Sequence, residues 1–266
     1  MKTSPVLEVR TIKNLKDMIE QSSKLFANKN AFCVKTKDNL YKGITFSEFK
    51  DDIDSFGTAL LELGIGKGFI AVIGENRYEW CVTYLSTING AGVVVPLDKE
   101  LPLPELENLL RQSNANVVVY SGKFDDGIKE MSPRLSNIKY FTNMNTDEHE
   151  NESFLSFWVL LRKGKKLLES GKKDYLNASI DENAMSAMIF TSGTTDHAKA
   201  VMLSHRNICS NIMAVSASIY MDSTDSVVSI LPLHHTYECT AGFLTMIYNG
   251  ATITFNEGLK YIGKNL

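Results

Sequence analysis

The spacing of apolar side chains predicts a helix over residues 46–63. Apolar residues recur there at intervals of three and four, which places them on one helix face: Phe46, Phe49, Ile53, Phe56, Leu60 and Leu63. Ahead of them, Thr45 and Glu48 form the pattern of a capping box, which satisfies free backbone N–H groups at a helix start. Gly64 follows the last apolar position, as is usual where a helix ends.

Short, wholly apolar segments alternate with helical ones along the rest of the chain. The segments of strand length are 69–74, 91–97, 116–121, 187–190, 226–231 and 251–255. The helical segments between them are 77–89, 104–113, 204–218 and 238–248. Strands that are apolar on both faces and alternate with helices are typical of parallel sheets covered by helices. The predicted fold class is therefore α/β, with successive α/β subdomains and mainly parallel sheets.

A charged stretch separates the two α/β blocks. An acidic run at 147–152 is followed by RKGKKLLESGKK at 162–173, with six basic residues and one acidic residue. We expect a first subdomain at 1–176 that includes this charged linker, and a second at 177–266. The stretch is interpreted as a solvated helix and linker. The alternative is a surface patch that meets anionic lipid or an acidic cofactor.

Composition and charge exclude several classes of protein. The chain has 266 residues and a formal net charge of −3, so it is not a general binder of nucleic acid. No apolar stretch approaches the roughly 18 residues of a membrane span. The four cysteines lie far apart without a CxxC pair. We expect a cytoplasmic protein with reduced thiols that is neither exported nor inserted in a membrane, with peripheral membrane contact left open.

Residues 188–207, MIFTSGTTDHAKAVMLSHRN, hold the most informative motif. An apolar strand runs into a loop of hydroxyl side chains that ends in a lysine. Clustered hydroxyls, backbone N–H groups and a cation are the groups that hold phosphate oxygens. The candidate ligands are Thr191, Ser192, Gly193, Thr194, Thr195 and Lys199. The alternative is a surface turn rich in Thr and Ser. A Walker phosphate loop is excluded, because it needs glycine at Ala198 and a hydroxyl at Ala200.

The segment TSGTT, followed four residues later by Lys199, resembles the phosphate-binding signature of adenylate-forming enzymes. This superfamily comprises acyl-CoA synthetases, nonribosomal-peptide adenylation domains and firefly-type luciferases. LPLHHTYE, at 231–238, is similar to a second motif of the superfamily, with His235 on its histidine. ITFSEF, GENRYEW and INGAGVVVPLD stand upstream in the expected order, so the resemblance extends over residues 12–266. Glu238 makes the second motif more similar to the long-chain fatty acyl-CoA synthetase branch.

The resemblance implies the N-terminal part of the adenylate-forming enzyme fold and a two-step activation of a carboxylate. The carboxylate attacks the α-phosphorus of ATP and expels pyrophosphate, and the thiol of coenzyme A then displaces AMP. By resemblance, the hydroxyl loop binds the β- and γ-phosphates, Lys199 acts on the leaving pyrophosphate, and Thr191 helps to hold Mg²⁺. His235 is implied as a second catalytic residue beside the acyl pocket, and His234 is left open. The implied partner is a small-molecule carboxylate, a fatty acid by similarity to the long-chain branch.

Two other chemistries lack support in the spacing. A metal site from His197, His205, His234 and His235 would need a convergence that their spacing does not supply. A Ser-His-Asp hydrolase is disfavoured, because no GxSxG motif is present.

The loop departs from the usual TSGTTGxPKGV form of the superfamily. Asp196 and Ala200 stand where the superfamily has two glycines. Outside the loop, Phe69 stands where the superfamily commonly has an aspartate. A carboxylate at position 196 would repel a bound triphosphate. We therefore expect Asp196 to weaken ATP affinity.

Several functional parts of the superfamily follow the region seen here. They are a glutamate of the Mg²⁺ site, an aspartate that holds the ribose, and a C-terminal domain with a catalytic lysine. The chain ends inside a helix-like pattern without a terminating glycine. We therefore expect the truncated N-terminal portion of a ligase, inactive alone and lacking a C-terminal domain in cis. The alternatives are a non-catalytic nucleotide- or acyl-binding or scaffold protein, and part of an aryl- or amino-acid-adenylating enzyme.

Overall fold

The fold alternates strands and helices, as the apolar pattern predicts. It is known from a computed structural model that describes residues 7–36, 38–191 and 199–256. The strands are β1 (Asn30–Lys35), β2 (Tyr41–Thr45), β3 (Gly68–Ile73), β4 (Gly92–Leu97), β5 (Ala115–Tyr120), β6 (Tyr140–Asn143), β7 (Phe154–Ser156), β8 (Met185–Thr191), β9 (Lys199–Ser204), β10 (Ser226–Ser229) and β11 (Thr252–Phe255). The helices are α1 (Leu15–Leu25), α2 (Phe46–Glu62), α3 (Tyr78–Ser86), α4 (Leu103–Gln112), α5 (Asp125–Met131), α6 (Phe157–Glu169), α7 (His205–Ser218) and α8 (Thr245–Asn249).

The chain divides into two compact units. The central unit is residues 51–204, and the terminal unit is residues 1–50 together with 205–266. This division does not follow the predicted boundary at residue 176, because β8 pairs with β4 and β1 pairs with β11. The subdomains 1–176 and 177–266 stay a prediction.

The central unit holds a 7-stranded sheet in the order β7-β6-β5-β3-β4-β8-β9. Its pairs are parallel except for β8 with β9, which is an antiparallel hairpin. One hydrophobic core forms where β3, β4 and β5 meet the helices α4 and α5, and it includes Ile73, Val95, Val118, Leu106 and Ile128. The mainly parallel, helix-covered sheet confirms the predicted fold class.

The terminal unit holds a 4-stranded sheet in the order β10-β11-β1-β2. β11 is parallel to both β1 and β10, and β2 is antiparallel to β1. Phe32 on β1 is fully buried, and its ring centroid lies 4.8 Å from that of Phe49 and 5.6 Å from that of Phe255. These aromatic contacts fill the core beneath the sheet.

The predicted capping box forms at the start of α2. The Thr45 backbone N–H donates to Glu48 Oε2 at 2.8 Å, and the Glu48 N–H donates to Thr45 Oγ1 at 3.2 Å. The helix ends at Glu62, and Gly64 follows with a φ of 67°. Both helix-end signals of the sequence are therefore confirmed.

Two predicted helices contain turns of π-helix. The predicted helix 77–89 is α3 followed by a π-helical segment, Thr87–Ala91, and the predicted helix 238–248 begins as a π-helical segment, Glu238–Leu244, before α8. Gly90 has a φ of 151°, which breaks the regular helix before β4. Such wider turns occur frequently at functional sites.

Candidate functional site

The two ends of the candidate phosphate loop face each other across the β8–β9 hairpin. Thr191 is the register partner of Lys199, and its Oγ1 donates to the Lys199 carbonyl oxygen at 3.4 Å. Both side chains are exposed. The other predicted ligands, Ser192, Gly193, Thr194 and Thr195, and the neighbouring Asp196, lie outside the described residues. The structure therefore brings together the first hydroxyl and the lysine of the motif.

The hairpin opens at the carboxyl edge of the parallel sheet. Val94 of β4 is aligned with Ala187 of β8, so Thr191 lies one position beyond the level of Leu97, the last residue of β4. Ligands of open α/β sheets bind outside the carboxyl ends of the strands. Thr191 and Lys199 therefore lie at the edge of the sheet where ligands of such folds bind.

A network of polar side chains lies at the same edge of the sheet, where β3, β5 and β6 end. The Arg77 guanidinium donates to both carboxylate oxygens of Glu79, at 2.7 and 2.9 Å, and to Asn145 Oδ1 at 2.7 Å. Asn145 Oδ1 also accepts from the Gly122 N–H at 2.8 Å. Burial would raise the pKa of Glu75, but hydrogen bonds and neighbouring cations outweigh it and lower that pKa. The network joins the segments that follow β3, β5 and β6.

Sequence reasoning did not predict this network. Its signal is GENRYEW, residues 74–80, which supported only the family resemblance. In the sheet order, β3 leads to β4 on one side while β5 leads to β6 on the other, so β3 and β5 form the topological switch point. Three of the five N–H donors of Arg77 bond to Glu79 and Asn145 of this protein. We therefore assign this network a structural role, in which it joins the segments that follow β3, β5 and β6.

In the terminal unit, His235 lies in a tight turn after β10. Its N–H donates to the Pro232 carbonyl oxygen at 3.0 Å, and its carbonyl oxygen accepts from the Cys239 N–H at 2.9 Å. The His235 side chain is exposed and that of His234 is half-buried, with ring centroids 5.3 Å apart. Two backbone hydrogen bonds thus hold the backbone of His235 in this turn, with its imidazole exposed.

Glu238 anchors this turn from inside the terminal unit. Its side chain is buried, and Oε1 accepts a hydrogen bond from Ser229 Oγ at 2.7 Å. Burial raises the pKa of the Glu238 carboxyl, although hydrogen bonds from Ser229 and the Ile230 backbone act in the opposite direction. A Cβ at Gly242 would lie 2.5 Å from the carboxyl carbon, so only glycine fits there without displacing it. In the sequence, Glu238 indicated only a similarity to the long-chain fatty acyl-CoA synthetase branch.

A cavity of about 510 Å³ lies beside the His235 turn, within the terminal unit. One wall is a face of α7 and the start of its following loop, and the other wall is the segment 236–241. The lining residues are Asn211, Ala214, Val215, Ser218, Ile219, Thr236, Tyr237, Thr240 and Ala241. Ile219 and Tyr237 are large hydrophobic residues that are more than half exposed. The cavity therefore offers an open, largely apolar surface next to the histidine.

The remaining expectations from the sequence concern a histidine metal site, the cysteines and membrane-spanning helices. Within residues 7–36, 38–191 and 199–256, no cluster of His, Cys, Asp and Glu could hold a metal ion. His205 is buried, and its Nδ1 accepts from the Leu15 N–H at 3.2 Å. None of the four cysteines, all of which lie in the described part of the chain, forms a disulfide bond. No helix in the described part of the chain is long and apolar enough to span a membrane.

The profile of the family described as AMP-binding enzyme matches residues 19–261, nearly the whole chain. The chain belongs to the AMP-binding enzyme family. The match includes the β8–β9 hairpin and the His235 turn, which were the two motifs of the resemblance. The family membership expected from the sequence is therefore confirmed.

Curated relatives and a solved structure agree with this membership. The chain is 27% identical over 230 residues to the medium-chain acyl-CoA ligase ACSF2, mitochondrial, of Danio rerio, covering 79% of this chain and 38% of the relative. It is 23% identical over 273 residues to the long-chain-fatty-acid–CoA ligase 1 of Cavia porcellus, covering 93% and 37%. It spans less than half the length of these relatives.

The fold is that of a solved family structure. A long-chain-fatty-acid-CoA ligase (FadD1) from Archaeoglobus fulgidus superposes with a TM-score of 0.79 at 21% identity, over 98% of this chain and 50% of that one. At this identity the likeness concerns the fold alone. It confirms the predicted N-terminal part of the adenylate-forming enzyme fold.

Proposed function

We propose that this chain provides the phosphate-binding loop and part of the acyl site of an ATP-dependent carboxylate-activating ligase. The carboxylate oxygen bonds to the α-phosphorus of ATP as the bond to pyrophosphate breaks. The sulfur of coenzyme A then bonds to the acyl carbon, AMP leaves, and the thiol proton passes to solvent. The observation that carries the proposal is the pairing of Thr191 with Lys199 at the carboxyl edge of the sheet. The family match over 19–261 supports it.

Thr191 and Lys199, at the open end of the β8–β9 hairpin, suit the first step of this reaction. Lys199 is exposed, and an ammonium group at this position can offset the charge of the leaving pyrophosphate. Such catalysis consists mainly of positioning and charge neutralisation. Thr191 supplies a neutral hydroxyl oxygen, which suits a Mg²⁺ ion held chiefly by phosphate oxygens and water. We assign Thr191 to that metal, which would neutralise phosphate charge when bound.

We infer a fatty acid as the carboxylate. The cavity between α7 and residues 236–241 is lined mainly by aliphatic and aromatic side chains, which suit an alkyl chain. The relatives named above are ligases of medium-chain acyl groups and long-chain fatty acids. His235 stands beside this cavity, where we assign it to the carboxylate end of the chain. We also propose a cytoplasmic location, which agrees with four cysteines that form no disulfide bond in the described residues.

The test is equilibrium binding of non-hydrolysable acyl-sulfamoyl adenosines, with hexadecanoyl, benzoyl and aminoacyl groups. We expect the hexadecanoyl compound to bind most tightly and His235→Ala to weaken it by roughly tenfold or more. Lys199→Ala should instead weaken the binding of Mg·ATP, because the acyl-sulfamoyl compounds carry no β- or γ-phosphate. Lys139→Ala is the matched control, because this exposed residue precedes β6, which three strands separate from β8.

Two results would contradict the proposal. Preference for the benzoyl or aminoacyl compound would replace the fatty acid by another carboxylate. Binding of the hexadecanoyl compound that His235→Ala does not alter, together with Mg·ATP binding that Lys199→Ala does not alter, would contradict the site itself.

A further inference from the structure

Helix α6 packs tightly into the central unit along one face. Phe157, Leu160, Leu161 and Gly164 on that face are buried. A Cβ at Gly164 would lie 1.7 Å from the Ser55 carbonyl oxygen, so α6 and α2 approach each other with no room for a side chain. The orientation of α6 about its own axis is therefore fixed.

The opposite face of α6 is basic and exposed. Val159, Arg162, Lys163, Lys166 and Leu167 follow one another at intervals of three, one, three and one, which places them on a single helix face. They line a shallow groove of about 430 Å³. We call these five residues the basic face. The three cations are exposed, and the two aliphatic side chains are half-buried between them.

The basic face lacks carboxylate partners. In the described part of the chain, no Asp or Glu oxygen lies within ion-pair distance of the three cations; Arg162 donates instead to the Asp147 carbonyl oxygen at 3.1 Å. Elsewhere in the central unit, cations do have such partners: Lys129 lies 2.8 Å from Asp125, and Arg134 lies 2.8 Å from Glu107. Within the described residues, the three cations of the basic face are therefore not engaged in ion pairs, although the acidic run 147–152 lies near Arg162.

We propose that the basic face binds the surface of an anionic phospholipid bilayer. Its three exposed cations and two half-buried aliphatic side chains share one face of a single helix, and this is the arrangement with which an amphipathic helix lies on an anionic bilayer. Val159 and Leu167 are less exposed than the cations beside them. On a bilayer they would therefore meet the boundary between headgroups and acyl chains, while the charged ends of the cations contact phosphate.

This proposal is independent of the proposed function, because it uses neither the β8–β9 hairpin nor the His235 turn. The attraction is electrostatic, so it weakens as salt shortens the Debye length. Each cation near an anionic surface contributes roughly fivefold to the binding constant, so three contribute on the order of a hundredfold.

The test is co-sedimentation of the chain with vesicles of phosphatidylcholine alone and with about 30% phosphatidylserine, at low and high salt. We expect binding only to the anionic vesicles, and loss of binding at high salt. The variant Arg162→Gln, Lys163→Gln, Lys166→Gln should lose most of this binding. The matched control, Lys42→Gln, Lys67→Gln, Lys139→Gln, removes the same charge at other exposed positions and should bind as the wild type does. Melting curves of both variants verify folding.

Three outcomes would overturn the proposal. One is no binding of the wild type to anionic vesicles at low salt. A second is equal loss of binding in both triple variants, which would show a general charge effect. The third is binding of soluble tripolyphosphate that depends on the basic face in the absence of vesicle binding, which would show a site for small polyanions.

Discussion

Glu238 is the residue whose chemistry the sequence revealed least. Its carboxyl is buried, and the Ser229 hydroxyl donates to it at 2.7 Å. Residue type and spacing placed it in a motif, but its burial depends on how the π-helical segment 238–244 packs against β10. A pattern of apolar positions does not report such a polar contact, because a glutamate in a motif has the same letter whether it faces solvent or the interior.

The raised pKa of Glu238 gives a pH-dependent stability of known sign. Because the folded state takes up the proton more readily than the unfolded state, this residue is most favourable at pH values below about 4.3, the ordinary pKa. That contribution is lost as pH rises through the raised pKa. We expect the melting temperature of the wild type, relative to Glu238→Gln, to fall from pH 4 towards neutrality, by thermal unfolding at several pH values.

Ser229→Ala is the companion variant for this measurement. It removes a donor that lowers the Glu238 pKa, so the pH dependence should extend to higher pH. A pH-independent difference between the wild type and Glu238→Gln would contradict burial of the carboxyl.

Asp196 remains a prediction from the sequence, since it lies outside the described residues. A carboxylate within the phosphate loop repels a triphosphate. We expect Asp196→Gly to tighten Mg·ATP binding by roughly tenfold, measured by calorimetric titration. Equal dissociation constants for the two proteins would show that position 196 does not face the phosphates.

At the scale of elements, one glutamate joins α4 to the 3₁₀ turn Ser132–Arg134. Glu107 accepts hydrogen bonds from Arg134 at 2.8 Å and from Arg111 at 2.7 Å. These bonds, that of Arg134 first, lower the pKa of Glu107 to about 2. The carboxylate therefore stabilises the folded state above its ordinary pKa of about 4.3, and this contribution is lost as pH falls towards 2.

We expect Glu107→Gln to melt a few degrees below the wild type at neutral pH, and the difference to vanish as pH falls towards 2. Glu152→Gln, at an exposed position, is the control and should melt as the wild type does at each pH. A difference that persists unchanged at low pH would show that the ion pairs do not carry the effect.

The elements that the sequence predicted best are those buried on both faces. β3, β4 and β5 lie in the middle of the sheet, so their segments are wholly apolar and stand out. β2 at a sheet edge is half exposed, and β1 and β2 were not predicted because their short segments mix polar and apolar residues. The π-helical turns were missed because they share the composition of ordinary helices.

At the scale of the whole molecule, sequence neighbours and spatial neighbours differ. The terminal unit is built from both ends of the chain, since β1 pairs with β11, and no pattern of apolar positions specifies a parallel pairing across that distance. The motif at 191–199 was found because its chemistry lies in residue types within one loop. The resemblance implied an acyl pocket beside His235 but not which residues line it, because α7 and residues 236–241 meet only in the folded terminal unit.

The central claim is that the open end of the β8–β9 hairpin, with Thr191 and Lys199, binds the phosphates of ATP. Calorimetric titration of Mg·ATP into the wild type and Lys199→Ala tests it most directly, with Lys139→Ala as the control. We expect the dissociation constant to rise by roughly tenfold or more in Lys199→Ala and to stay unchanged in the control. Equal affinity of the wild type and Lys199→Ala, or no binding by the wild type, would contradict the claim.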